Sequence, residues 1–267
     1  SASNLSDVTL QFNGTLHALP DFDSWPTDPS GSDYLHFVQV SNSQHITIQG
    51  PEQDPEVLSK IDGMGKKWWN AFIFGLLKPK RPKLVFVGAS SNVLVKNLLL
   101  HSSPSFHLDL QGVAETEVDN VTIITDRQDI KEMKQRKRNL ANNLPSKEPG
   151  LEPQDLNTDG IDPSGRDIWV HHCHILNDDD SIAVKPCSQS AASCTFSNCS
   201  ENILLEDLTL TGACVKAAAC QGSSKTMGLR LHNLLKKYVC AVTTYDHIRF
   251  RGKHWFSPSS HRRKLRS

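Results

Sequence analysis

The sequence predicts an all-β solenoid, a parallel β-helix, and three observations carry that expectation. The first half of the chain consists of short apolar strands separated by polar turns, with no convincing amphipathic helix among them. A small unit, a polar residue followed by apolar-x-apolar, recurs at separations in the range of a stacked repeat. The alternative, an antiparallel sandwich, needs hairpin dipeptides between neighbouring strands, and only Asn13-Gly14 offers one.

In chain order, Val8 to Phe12, His45 to Ile48 and Leu84 to Val87 read as strands. The recurring unit occupies His45-Ile46-Thr47-Ile48, Asn92-Val93-Leu94-Val95, Asn120-Val121-Thr122-Ile123, Asp167-Ile168-Trp169-Val170 and Asn202-Ile203-Leu204-Leu205. The leading apolar residues, Ile46, Val93, Val121, Ile168 and Ile203, are separated by 47, 28, 47 and 35 residues. A missed turn or insertion in each longer gap brings the period into the twenties to thirties, and these residues are expected to stack as one core column. Residues 127–152 are highly charged, lack a core-facing stripe and read as a surface loop leaving the stack, with room for a short solvated helix before Pro145. The expected organisation is one β-helix domain over 1–250 and a basic tail over 251–267.

At 267 residues, 37% hydrophobic and 22% charged, the chain is long enough to bury a large core. Its longest strongly apolar run, Ala71 to Leu77, is too short to span a bilayer, so no membrane association is expected. The zero net charge hides an asymmetry: residues 1–210 hold 17 Lys/Arg against 28 Asp/Glu, and residues 211–267 hold 12 against Asp246 alone. No zinc-finger spacing or aromatic-interleaved basic patch supports a nucleic-acid reader. All seven cysteines lie in the second half, and Cys187, Cys194 and Cys199 are close enough for local disulfides in an extracellular protein. No Cys-x-x-Cys pair argues for zinc. Asn4, Asn13, Asn120 and Asn198 open glycosylation triplets, and the start at Ser1 fits either a processed secreted protein or a trimmed chain.

Chemistry concentrates in Asn157-Thr158-Asp159-Gly160-Ile161-Asp162-Pro163-Ser164 and, twenty residues on, in Asn177-Asp178-Asp179-Asp180-Ser181-Ile182-Ala183-Val184-Lys185. Carboxylates flanked by residues that favour burial have pKa values pushed apart, which suits a general acid beside a general base. A solvated acidic turn, or a cation site with oxygen ligands, is the competing reading of such a cluster. Asp179 and Asp180 reach one cleft only if the strand bends between them, and such a bend is expected.

These residues, with Ile61-Asp62-Gly63, Asn92 to Leu98, Ser102-Ser103-Pro104-Ser105-Phe106-His107 and Gly228-Leu229-Arg230-Leu231, resemble the polygalacturonases, glycoside hydrolase family twenty-eight, over roughly residues 4–250. The resemblance implies a right-handed parallel β-helix of the pectin-lyase type. It implies inverting hydrolysis of α-1,4-galacturonosyl bonds in pectin, with no metal and no cofactor. Asp179 is then the general acid, Asp159 and Asp180 polarise the attacking water, and Arg230, His232 and Asn157 bind substrate. The implied partner is an acidic polysaccharide, met by a secreted monomer at the cell wall.

The chain also departs from the family pattern. The family's Gly-His-Gly is absent, the chain reading Gly212-Ala213-Cys214-Val215-Lys216 there; its Arg-x-Lys is reduced to Arg230-Leu231-His232; and Ser181 stands for a usual cysteine. The missing histidine motivates a second reading, a catalytically impaired pectin-binding relative. A pectate lyase is a third, since one fold hosts several chemistries.

Overall fold

The computed structural model describes residues 1–51, 59–77, 79–142, 155–187, 200–211, 215–217, 229–236 and 249–251. The chain winds as a right-handed parallel β-helix of stacked coils. The first coil is β1 (Ala2–Ser3), β2 (Ser6–Gln11) and β3 (Thr15–His17); the second is β4 (Val38–Ser41), β5 (Gln44–Gln49) and β6 (Ser59–Asp62), followed by α1 (Gly65–Ile73). The third holds β7 (Val85–Gly88) and β8 (Ser91–His101), the fourth β9 (Leu108–Ile124), and α2 (Arg127–Asn142) follows. Then come β10 (Ile161–His171) with β11 (His174–Leu176), β12 (Ile182–Val184) with β13 (Glu201–Leu210), β14 (Val215–Ala217) with β15 (Leu229–Lys236), and β16 (Arg249–Arg251).

Every pairing between these strands is parallel, and the registers define three faces. The first face stacks Val85, Leu108, Ile161, Ile182 and Val215. The second stacks Val8, Ile46, Val93, Thr116, Ile168, Ile203 and Leu229. The third stacks Ile61, Leu100, Ile123, Ile175 and Leu210. The apolar members, apart from half-buried Val8, are buried and form one continuous core, so each coil covers the open end of the one before it.

Corners between faces explain the recurring polar residue. Asp7, His45, Asn92, Glu115, Asp167 and Asn202 all take left-handed backbone, with φ between 51° and 58°, before the second face begins. Asn, Asp and His tolerate that region better than most residues, so a polar side chain marks the corner and the apolar-x-apolar run marks the strand after it. One alignment is corrected. Val121 pairs with Leu98 on the third face, and Thr116 is the residue level with Val93 and Ile168. Strand β9 passes two such corners, at Glu115 and Asn120, and spacing alone does not say which one opens the second face.

Both helices differ from the expectation. In α1, Trp68, Trp69, Ala71 and Ile73 are buried, so a helix does occur in the first half. The charged segment is not a bare loop: over 127–142 it is helical, and Ile130 and Met133 pack on Trp69, Ile73 and Leu156. Two apolar residues one turn apart suffice because α1 supplies the other half of that small core. The helix is held further by Lys66 to Asp129 at 2.5 Å and Lys134 to Asp178 at 3.3 Å, the latter fixing it beside the acidic stretch. The tail beyond Arg251 lies outside the described residues.

Candidate active site

The two acidic stretches enter the first face on neighbouring coils, just before β10 and β12. Asp159 lies two residues ahead of Ile161, and its carbonyl accepts the His107 N–H at 3.0 Å and the His107 ring Nδ1–H at 2.9 Å. The tautomer follows from the other nitrogen, because the Ser103 N–H donates to His107 Nε2 at 3.2 Å and leaves the ring proton on Nδ1. Complete burial lowers the His107 pKa to about 4, so the ring stays neutral. Gly160 then donates its N–H to the Asp180 carbonyl at 2.9 Å. A Cβ on Gly160 would come within 2.3 Å of the Ser181 carbonyl oxygen, so only glycine lets the two stretches lie this close.

The expected bend is present at Asp178 and Asp179, and the strand proper begins only at Ile182. Fully buried Asn177 fixes it, its side-chain amide donating to the Thr158 carbonyl at 3.0 Å and the Asp180 carbonyl at 2.7 Å. The Asp180 N–H donates to Asp179 Oδ1 at 2.8 Å. Buried Ser181 donates to Asn177 Oδ1 at 3.2 Å and so adds a polar anchor to the bend.

The structure therefore brings Asp159, Asp179 and Asp180 together, and their charges act on one another. Burial raises the Asp159 pKa to about 6; Lys185 opposes the rise, and the Asp179 and Asp180 charges add to it. The Lys185 ammonium stands 3.3 Å from Asp159 Oδ2 and 3.3 Å from Asp162 Oδ2. Burial works against that ammonium, but the Asp162 and Asp159 carboxylates outweigh it and raise its pKa. Asp162 is 0% exposed and neither of its oxygens has an aligned hydrogen-bond donor, Lys185 Nζ lying near but off axis. Burial, reinforced by the Asp159 charge, drives its pKa well up, with Lys185 opposing the rise. Asp109, level with Asp162 on the preceding coil, is paired with Lys83, and the Phe106 ring lies 5.5 Å from Lys83 Nζ and 5.2 Å from Lys185 Nζ. The strip is thus acidic at its centre, with two lysines and an aromatic ring beside it.

Of the other three expected residues, Asn157 is exposed two residues ahead of Asp159, with left-handed backbone at φ 46°. Arg230 and His232 are not brought to the aspartates. They pair with Leu204 and Glu206 on the second face, where His232 Nδ1 lies 2.7 Å from Glu206 Oε1. The reason is order along the coil: β14 takes the first-face position next to β12, so β15, which follows, takes the second face. The Gly212-Ala213-Cys214 departure lies outside the described residues.

Lys185, Asn177, His107 and Asp162 lie within the quoted motifs, yet sequence reasoning gave them no role. For Asp162 a signal existed: it alternates with Ile161 and Pro163, which places its side chain on the face opposite that of core residue Ile161. Cys187 is disulfide-bonded, and Cys173 is a buried free thiol with its pKa pushed up to about 12 by burial. The other five cysteines lie outside the described residues.

Comparison with known proteins places this geometry. Residues 1–202 match the family model for glycosyl hydrolases family 28. A probable polygalacturonase of Vitis vinifera is 26% identical over 188 residues, 66% of this chain and 32% of its own length. A polygalacturonase of Juniperus ashei is 28% identical over 208 residues, 75% of this chain and 31% of its own. The chain thus spans about a third of the length of these relatives. Among solved structures, a polygalacturonase from Erwinia carotovora ssp. carotovora superposes with a TM-score of 0.61 at 24% identity, covering 87% of this chain and 57% of its own. An endo-xylogalacturonan hydrolase from Aspergillus tubingensis gives 0.60 at 18%, covering 87% and 55%. With the bend and the paired acidic stretches lying inside the matched span, the chain belongs to glycosyl hydrolases family 28.

Proposed function

We propose that this chain carries the acid/base centre of a polygalacturonase-type glycosidase acting on galacturonate-rich polysaccharide. The observation that carries the reading is the convergence of three carboxylates from two adjacent coils, with Asp179 and Asp180 both acting on the raised pKa of Asp159. Asp179, on the bend, gives a proton to the bridging oxygen as the sugar C1–O bond breaks. Asp159 and Asp180 orient a water on the opposite side of the ring and take its proton as its oxygen bonds to C1. Lys185 keeps Asp159 in the form that accepts that proton. Exposed Asn157 hydrogen-bonds the sugar at the entrance; Arg230 and His232, on the second face, are assigned no contact at the cleavage point.

The bonded Cys187 fits an oxidising, extracellular setting, and no helix among the described residues is long and apolar enough to cross a membrane. We take the chain to be secreted and monomeric. The test is reducing-end release from polygalacturonate in the presence of a chelator, with Asp179→Asn as the inactive control. Binding without products would refute the hydrolase reading in favour of a binding relative. Calcium-dependent unsaturated products would refute it in favour of a lyase.

A further inference from the structure

On the second face, away from the acidic strip, Asp119, His171 and His172 present three donor atoms to one point. His171 Nδ1 and His172 Nδ1 are 2.8 Å apart, His172 Nδ1 is 2.9 Å from Asp119 Oδ1, and His171 Nδ1 is 3.2 Å from the same oxygen. Consecutive strand residues normally face opposite sides. His172 escapes that rule because it occupies the corner column of Asn97, Asn120, His172 and Asp207, all with left-handed φ between 49° and 56°. On the earlier coils this column is held by a side-chain hydrogen bond from Asn120 to Asn97 at 2.9 Å. At His172 an imidazole takes that place and turns back over its neighbour.

The far sides of the two rings decide what the near sides can do. His171 Nε2 is 2.9 Å from Glu117 Oε1, and His172 Nε2 is 3.8 Å from Asp207 Oδ2. The Glu117 carboxylate selects the His171 tautomer that carries its proton on Nε2, which leaves a lone pair on His171 Nδ1, whereas Asp207, 3.8 Å from His172 Nε2, is only a nearby charge. The His171 lone pair, the Asp119 oxygen and His172 Nδ1 converge on one point, where a cation can take the place of the proton on His172 Nδ1. The same carboxylate-to-imidazole contacts are the outer partners that orient metal-bound histidines. Trp169 stacks on His171 at 3.7 Å and 17°, fixing that ring's plane. Lys96 and Glu206 flank Asp119 and His171 in the ladder, and His172 is 60% exposed at its side chain, so the point opens to solvent.

We propose that Asp119, His171 and His172 form a site for a borderline divalent transition-metal ion of the Zn²⁺ type, held by two imidazoles and one carboxylate. Ligands about 2.1 Å from such an ion are spaced about 3.0 Å apart on one face of an octahedron and about 3.4 Å apart in a tetrahedron. The three observed separations match the octahedral face, which leaves the remaining positions to water or an outside ligand. Imidazole nitrogen excludes Ca²⁺ and Mg²⁺ as the fitting ions. The ion ties β9 to β10 directly and reaches β13 through Asp207, so it clamps three coils. Protons compete for the same Nδ1 atoms, and binding weakens on acidification.

The test uses the whole chain, stripped with a chelator and dialysed, titrated with ZnCl₂ and separately with CaCl₂ by calorimetry. Zinc is expected to bind with one ion lost from the stoichiometry in His172→Ala and in Asp119→Asn, while calcium gives no such component. Glu117→Gln should retain the ion at about 10- to 100-fold weaker affinity, the signature of an outer partner. His172 is exposed, so its removal leaves the fold intact, which circular dichroism of the metal-free chains checks. His45→Ala, another exposed corner histidine, serves as the control. Zinc stoichiometry and affinity unchanged in both His172→Ala and Asp119→Asn, or no zinc binding by the parent, would overturn the proposal; so would an equal loss in His45→Ala.

Discussion

Replacing Lys185 by methionine keeps the length of the side chain and removes the cation between Asp159 and Asp162. Each Nζ–Oδ2 separation is 3.3 Å. At that distance a unit pair interacts by about 5 kcal/mol at an effective dielectric constant of 20. The Lys185 side chain is 36% exposed, and solvent screening reduces the figure to about 1–3 kcal/mol. Since 1.4 kcal/mol is about one pH unit, the ionisation of Asp159 should move up by about one to two units from its value of about 6. The assay is reducing-end release across pH for the parent, Lys185→Met and Lys185→Arg. The acid limb of kcat should shift upward in the methionine variant, lowering the rate at pH 6 by roughly 5- to 50-fold and recovering above the new limb. Arginine, still cationic, should keep most of the parental limb. A methionine variant whose limb stays in place, or whose loss is equal at every pH, would refute the idea that Lys185 acts by holding Asp159 ionised.

Three other outcomes follow from the same geometry. Because the folded-state pKa of Asp159 is raised from 3.8 to about 6, its contribution is favourable below the unfolded value and is lost as pH rises through that window. Asp159→Asn should remove about 3 kcal/mol of that pH-dependent loss, leaving a chain more stable at pH 7 than the parent and without activity, as thermal melts at pH 4 and pH 7 would show. His107→Phe fills the same space but takes the acceptor from the Ser103 N–H, at about 1–3 kcal/mol, while the Asp159 carbonyl keeps the backbone N–H of residue 107; denaturant midpoints and kcat should both fall, whereas His107→Asn should recover part of each. Ile168→Ala opens the second-face column at a 1% exposed position and should cost about 2–5 kcal/mol by urea unfolding, with no change in the acid limb of catalysis.

The solenoid was legible because its corners leave a chemical trace. His45, Asn92, Asn120, Asp167 and Asn202 precede apolar-x-apolar runs, and each takes left-handed φ, so the pattern that reads as a repeat is the direct consequence of turning the chain once per face. The same cause limited the reading. A corner looks alike whichever face it opens, and so Val121 was aligned with Val93 although Thr116 fills that level. The packed side of helix α2 escaped notice for a related reason. Its apolar side is only Ile130 and Met133, enough because Trp69 and Ile73 come from another part of the chain.

Within the site, the aspartates stood out because like charges beside strand sequence have few structural uses, but their supports were silent. His107 and Asn177 act through backbone carbonyls on the neighbouring coil, and such contacts leave no spacing rule in the sequence. Arg230 and His232 show a converse point, since a motif fixes residue order but not the face on which it arrives. A strand in a three-faced coil reaches a given face only after the preceding strand has taken its own, so β14, three residues long, decides where Arg230 points. Fold follows from local pattern here, whereas the make-up of the site depends on counting strands around the coil. That count is a property of the stacked chain, which no single motif contains.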